Sequence, residues 1–418
     1  MKKTELLDFL KRNKNFSLVW SSQILSCVTV NIVNFMMMTK IYERTGSSLA
    51  VSFLWVFYYI PAFFLGPFSG IFVDHWKKRN VLMYTNFLQS ITVLLFLLIG
   101  DKFYTVYPFV FLYSLIDEFY GPAQASSIPH LVKRNDLPMA NSLFFVTGQG
   151  ALLVGFGLSG PLMRLLGENN LIFLASFLLL AGGLSGYFLP KDEPERKKIE
   201  NITRFWTELK LGYSYIANKR IVLYPLILSV FFGVILSSIG VSLPAIANQL
   251  FKIQVKDAGP LIIVPLGLGA LSAISLITKL KQKYRKKSLM TFGLKIVLSD
   301  FLLLSLVLPF LGKYILVPGI LLAFILGFGG LLIFIPNQTL LQENIPSKLR
   351  GRVFGTLGFA TTVITLPVLL FSATLIDTAG ISPFLFFAGM IVLIFLLFIK
   401  KAEDAVIAEK NGVINGNH

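Results

Sequence analysis

Gly66-Pro67-Phe68-Ser69-Gly70-Ile71-Phe72-Val73-Asp74-His75-Trp76-Lys77-Lys78-Arg79 closes one apolar run, 47–72, and leads into a second, 81–100. Each run has the length that a helix rising about 1.5 Å per residue needs to cross a hydrocarbon layer about 30 Å thick. The quoted stretch therefore reads as the end of one membrane span and a short basic loop into the next. Moving outward in both directions, the same alternation of apolar run and charged or Pro/Gly interruption gives twelve spans: 16–40, 47–72, 81–100, 105–128, 138–163, 170–190, 221–245, 258–279, 288–310, 315–336, 352–376 and 382–400.

Composition agrees. Of 418 residues 55% are hydrophobic, 39 are Phe and only 14% are charged, where a soluble domain carries about a quarter. A membrane β-barrel would show alternating segments of about 10 residues, which these runs are not. The fold class is an all-α membrane protein. The formal net charge of +17 would suggest nucleic acid in a soluble chain, but its placement argues otherwise. Thirty of the 38 Lys and Arg residues fall on the side shared by both termini and seven on the other, with Lys295 inside a span. Such a bias predicts cytoplasmic termini and leaves no nucleic-acid partner to invoke. One cysteine, Cys27, and three scattered histidines leave no disulfide framework and no metal cage. The apolar segment after the polar residues 1–15 is too long for a removable signal and lacks its cleavage motif, so it is expected to stay in the membrane.

The chain divides near its middle. Residues 191–220, KDEPERKKIENITRFWTELKLGYSYIANKR, form the longest polar stretch, and Phe205, Leu209, Tyr213 and Ile216 within it, beside Trp206, have the spacing of an amphipathic surface helix. The expected organisation is an N-terminal segment 1–15, a six-helix bundle over 16–190, the linker 191–220, a second six-helix bundle over 221–400 and a disordered tail 401–418. Short matches relate the halves: Arg79-Asn80-Val81-Leu82-Met83 against Lys286-Lys287-Ser288-Leu289-Met290, and Pro122-Ala123-Gln124 against Pro336-Asn337-Gln338. Two parallel repeats of this kind place a substrate site near the midplane.

The loop quoted at the outset resembles the loop 2-3 signature of the major facilitator superfamily, G-x-x-x-D-R-x-G-R-R/K, with Gly70, Asp74, Lys78 and Arg79 in register. His75 stands at the usual basic position and Lys77 at the usual Gly. The resemblance implies twelve helices in two six-helix pseudo-repeats and transport by alternating access. It further implies that Asp74 docks on the start of span eleven, Ser347-Lys348-Leu349-Arg350-Gly351-Arg352, as a latch holding the outward-open state. A carboxylate can accept charge-assisted hydrogen bonds there, against the positive end of a helix. The latch set is therefore Gly70, Asp74, Lys78, Arg79, Arg350 and Arg352, and the alternative reading is an interfacial Asp among topology-setting lysines.

Within the superfamily, Phe16-Ser17-Leu18-Val19-Trp20-Ser21-Ser22-Gln23, Tyr42-Glu43-Arg44-Thr45-Gly46-Ser47, Gly121-Pro122-Ala123 with Ile128-Pro129, and Arg350-Gly351-Arg352-Val353-Phe354-Gly355 look like the macrolide-efflux-like branch of drug:proton antiporters. Siderophore exporters and lysophospholipid transporters share much of this pattern. Span five carries Gly148, Gly150, Gly155, Gly157 and Gly160-Pro161, similar to the antiporters' glycine-proline motif and equally suited to close helix packing.

An ionisable side chain deep in the membrane requires a partner, a water-filled cavity or a proton. Asp117 and Glu118 lie about 18 Å along span four, near the midplane, and are the candidates for proton or cationic-substrate coupling. Being adjacent, they diverge by about 100° around the helix and cannot share one direction. Lys295 can snorkel to the surface, and both it and Asp300 read as structural, since their spacing of five is poor for an intrahelical pair. Gln23, Asn31 and Asn34 form one stripe of span one with Cys27. They are candidate substrate-hydrogen-bonding groups or, equally, glue between helices. Ser238 and Gln338 are weaker cavity candidates in the second half. The sequence contains no nucleotide-binding P-loop and no catalytic cluster.

The expected protein is thus not an enzyme. It is a secondary transporter of the bacterial cytoplasmic (inner) membrane, monomeric and surrounded by lipid, exporting an amphipathic small molecule in exchange for protons. It needs no cofactor beyond the proton gradient. A lysophospholipid or siderophore carrier of the same fold, or a non-transporting membrane sensor, is the alternative.

Overall fold

The computed structural model describes residues 3–98, 102–190, 220–280 and 284–397. Among them there is no strand. The helices are α1 (Lys3–Arg12), α2 (Lys14–Thr45), α3 (Ser48–His75), α4 (Lys78–Leu95), α5 (Val106–Leu131), α6 (Leu137–Leu166), α7 (Glu168–Tyr187), α8 (Arg220–Ala245), α9 (Val264–Leu280), α10 (Lys286–Leu302), α11 (Leu316–Asn344), α12 (Ser347–Ala379) and α13 (Ile381–Leu397). Ten helical segments are long and apolar enough to cross a membrane and α13 is a shorter apolar helix. The remaining predicted span, the fourth, is α5, whose apolar run is interrupted by Asp117 and Glu118. Every predicted span thus has its helix, α2 through α13.

The breaks lie where local chemistry stops a helix. Gly46 ends α2 in the left-handed conformation (φ 63°), which a side chain would strain, and at the next position the Ser47 hydroxyl caps α3 by accepting the Ala50 N–H. Two predicted spans are less regular than expected. A π-turn, Gly259–Ile263, precedes α9, and α10 runs into a π-turn, Leu303–Val307, then a 3₁₀ segment kinked at Gly312.

The opening residues, read as a polar lead-in, carry the helix α1. Its Phe9 is buried edge-on against Phe16, which meets Phe144 on α6 in the same way, and Arg12 pairs with Asp136 at 3.0 Å. Residues 191–219 of the predicted linker, with its amphipathic helix, and the whole predicted tail 401–418 lie outside the described residues.

The chain divides into two compact units: Met1–Leu211 with Val255–Pro260 and Thr362–Leu370, and Gly212–Gln254 with Leu261–Thr361 and Phe371–His418. In the first unit α5 packs on α3 and α4, α2 on α6 and α7, and α4 on α7; in the second, α11 packs on α8, α9 and α10. The pairing of α5 with α3 and α4 is repeated by α11 with α9 and α10. The two Pro-x-Gln segments lie at corresponding places on α5 and α11, each with its Pro inside the helix.

Small residues set the closest approaches. A Cβ at Gly155 would stand 2.4 Å from the Asn31 Cβ on α2, and one at Gly160 would stand 1.7 Å from the Lys256 carbonyl oxygen. Gly148 and Gly150 face open space. Of the glycine-rich run on α6, then, Gly155 and Gly160 have a packing reason to be glycine. Around the second contact Arg164 pairs with Asp257 at 2.7 Å, and Lys256 lies 3.6 Å from Glu43 and 3.9 Å from Glu168, which also meets Lys40 at 3.7 Å.

Candidate functional site

The first unit holds a polar group between helices that are otherwise apolar. Asp117, midway along α5, accepts a hydrogen bond from the Gln89 side-chain amide of α4 at 2.8 Å and a longer one from the Tyr58 hydroxyl of α3 at 3.4 Å. Gln89 is fully buried, and its own carbonyl oxygen has no partner among the described residues. Tyr58 is steadied from behind, where Ser114 on α5 donates to its main-chain carbonyl. Tyr58 also packs edge-on against Trp55 and Tyr59, ring centroids 6.0 and 5.8 Å away. One turn of α4 earlier, Asn86 donates to the Ser22 hydroxyl at 3.4 Å, and Ser22 shares a hydrogen bond with the Tyr120 hydroxyl at 3.2 Å. The polar positions of α2, α3, α4 and α5 thus meet in a single layer, because an apolar environment leaves each buried donor only its neighbours.

Glu118 is set apart from its neighbour. It is half-buried, accepts no hydrogen bond among the described residues, and its carboxylate lies 3.6 Å from where a Cβ at Gly66 on α3 would stand. One acid is therefore held by two donors while the next is open. The sequence located the pair; it offered Tyr58 only as one of several pocket aromatics and did not mark Gln89, so the two donors to Asp117 were missed.

The other predicted residues divide. Gln23 is buried and donates to the Phe144 carbonyl at 3.0 Å, tying α2 to α6. Asn31 donates to the Cys27 carbonyl one turn back on its own helix, and Asn34 is buried. Within this stripe, Gln23 is the residue whose hydrogen bond links two helices. Ser238 is buried and receives the Ser372 hydroxyl at 3.3 Å. Gln338 is half-buried, and the interhelical role belongs to the residue before it. Asn337 is 2% exposed and donates to the Pro225 carbonyl at 2.9 Å and the Ser229 hydroxyl at 2.7 Å on α8.

Asp74 sits half-buried in the last turn of α3, with His75 bonded to the Ile71 carbonyl. Lys78 is buried, and Arg79 donates to the Tyr187 carbonyl while its guanidinium lies 5.3 Å over that residue's ring, fastening the start of α4 to the end of α7. Gly70 faces open space. The side chains of Arg350 and Arg352, the partners expected for Asp74, lie outside the described residues. Lys295 is exposed, as snorkelling requires, whereas Asp300 is buried. No three His, Cys, Asp or Glu side chains come together as a metal site among the described residues.

Apolar helices in two repeats, with a carboxylate fixed by neighbouring helices inside the first, define a polytopic membrane carrier. The chain matches the Major Facilitator Superfamily model over residues 19–366 and belongs to that family of transporters. Among similar proteins are two of Bacillus subtilis (strain 168). The uncharacterized MFS-type transporter YfiS is 23% identical over 87% of this chain and 88% of its own length; YjbB, described in the same words, is 24% identical over 49% and 52%. Solved structures share the fold at lower identity. A bacterial homologue of the iron transporter ferroportin in an inward-facing state has TM-score 0.72 and 16% identity over 93% of this chain and 98% of that one. The POT family transporter PepTSo has TM-score 0.71 and 12% identity over 94% and 98%, and the nucleoside transporter NupG TM-score 0.70 and 13% identity over 92% and 99%.

Proposed function

We propose that this transporter is a proton-coupled exporter of amphipathic or lipophilic small molecules, working as a monomer in the bacterial inner membrane with both termini in the cytoplasm. The observation that carries the proton half of this reading is the Gln89–Asp117–Tyr58 group. As a carboxylate, Asp117 accepts from Gln89 and Tyr58, as described above. With a proton bound, it becomes a donor and requires an acceptor, and the unpartnered Gln89 carbonyl oxygen supplies one once the amide turns over. The same two residues can thus serve both protonation states, which a purely structural carboxylate does not need. Glu118, open beside Gly66, is the group that meets a cationic portion of the substrate.

The export half is supported by the segments that resemble the macrolide-efflux-like branch. The alternation itself is assigned to the loop after α3, with Asp74 and the basic residues Lys78, Arg79, Arg350 and Arg352 biasing one of two conformations. The energy source is the proton gradient, with no bound cofactor.

The test is dissipation of a preformed pH gradient in inverted vesicles on adding macrolides, lipophilic cations, siderophores and lysolipids in turn. The reading predicts proton release triggered by an amphipathic drug and abolished by Asp117→Asn. A response confined to siderophores or lysolipids would reassign the substrate. Labelled compound crossing with no proton movement would overturn the coupling.

A further inference from the structure

The second unit contains a carboxylic acid that the function proposed above does not use. Asp300 lies on the buried stripe of α10, with Gly293 and Val297, and is 1% exposed. That stripe meets α11 backbone to backbone. A Cβ at Gly293 would stand 2.8 Å from the Gly329 carbonyl oxygen, and one at Gly329 would stand 2.8 Å from the Ile296 Cγ2. On the other side α13 closes in, a Cβ at Gly389 lying 3.3 Å from the Cβ of Phe301. Neither carboxyl oxygen of Asp300 receives a hydrogen bond among the described residues.

The charges on the surrounding helices do not supply a partner. On α10 itself Lys295 is exposed on another face, and Lys286 and Lys287 lie at the start of the helix, about 21 Å away along it. The one acid or base on α11 is Glu343, which is paired with Lys286 at that far end. No titratable residue occurs on α13 or in the π-turn Leu303–Val307. Beyond the turn, Lys313 sits over the Tyr314 ring. An acid within the membrane needs a partner, a wet cavity or a proton. Among the described residues Asp300 has no partner, and it has almost no exposed surface, which leaves the third.

We propose that Asp300 is a proton-binding site of the second unit, neutral in the conformation described and exchanging its proton when α10 changes register. The place for that change is adjacent: the π-turn begins three residues on, and such turns mark where a helical ladder shifts. The exchange is a simple transfer, the acid O–H bond breaking and the proton passing to water admitted by the opening. The inference rests on α10 and its neighbours alone and stands whether or not Asp117 and Glu118 couple transport.

Infrared spectroscopy of the full-length protein in lipid, in an Asp117→Asn, Glu118→Gln background, tests it. Adding Asp300→Asn should remove a carboxylic-acid C=O band at neutral pH and leave the melting temperature unchanged, because Asn copies the shape of the neutral acid. In the parent that band should convert to a carboxylate band as pH rises. Loss of a carboxylate band alone would overturn the proposal, as would an acid band that persists at every pH at which the protein stays folded. Should Asp300→Asn fail to fold, labelling of the wild type with a hydrophobic carbodiimide, which reacts with protonated carboxyls, decides the same question by peptide mapping. An Asp300 adduct at neutral pH that declines as pH rises supports it, and an unreactive Asp300 contradicts it.

Discussion

Gln89 reaches from α4 to donate its amide N–H to Asp117 on α5 at 2.8 Å, while its own carbonyl oxygen, buried, meets no donor among the described residues. The amide is therefore half used in the state described, and the unused half is what a protonated Asp117 would need. Replacing Gln89 with Leu removes a donor from a charge-bearing group, a loss of about 1.5–3 kcal/mol. Thermal unfolding in detergent should register that loss, and adding Asp117→Asn to Gln89→Leu should recover part of it, because a neutral amide needs the donor less. Equal stability of wild type and Gln89→Leu would mean that the contact contributes nothing.

Asn337 and Gln338 are neighbours with different expected fates. Asn337→Ala breaks two hydrogen bonds to α8 and leaves the half-buried Ser229 hydroxyl and the buried Pro225 carbonyl without that donor, so it should destabilise by about 1–3 kcal/mol. Gln338→Ala, half-buried, should change stability by about 0.5 kcal/mol or less. Folded yield and melting temperature of the two variants, side by side, check the assignment.

At Gly160 an added methyl group collides with the main chain of Lys256, not with a side chain able to swing away. Gly160→Ala should therefore displace Val255–Pro260 from α6, at about 1–3 kcal/mol for an overpacked site. A cysteine placed at Asp257 should become more reactive toward a water-soluble maleimide in that background. Gly148→Ala and Gly150→Ala, where space is open, should leave it unchanged.

Glu168 forms loose ion pairs with both Lys40 and Lys256, at 3.7 and 3.9 Å. These distances and the partial exposure of all three residues place the contribution at about 0–1 kcal/mol. Glu168→Gln should lower the melting temperature slightly in dilute buffer and not at all in high salt, where such pairs are screened.

These cases also separate what the sequence revealed from what it concealed. The spans were legible because crossing a bilayer demands a long apolar run, and even α5 kept that run around Asp117 and Glu118. The helix α1 was not, since ten residues with five charged side chains read as a polar lead-in until Phe9 is seen against Phe16. Gln23 and Asn337 were hidden for a related reason. An amide on an apolar helix can face a ligand or another helix, and only the packing of α2 on α6 and of α8 on α11 decides which. Asp300 likewise read as structural, because the absence of a donor is a property of the helices around it.

The account turns on Asp117 as the proton carrier, and transport by the purified protein in proteoliposomes tests this most directly. With an amphipathic substrate identified, Asp117→Asn should still exchange labelled for unlabelled substrate at close to the wild-type rate and should lose accumulation driven by a pH gradient. Accumulation by Asp117→Asn equal to wild type would contradict it.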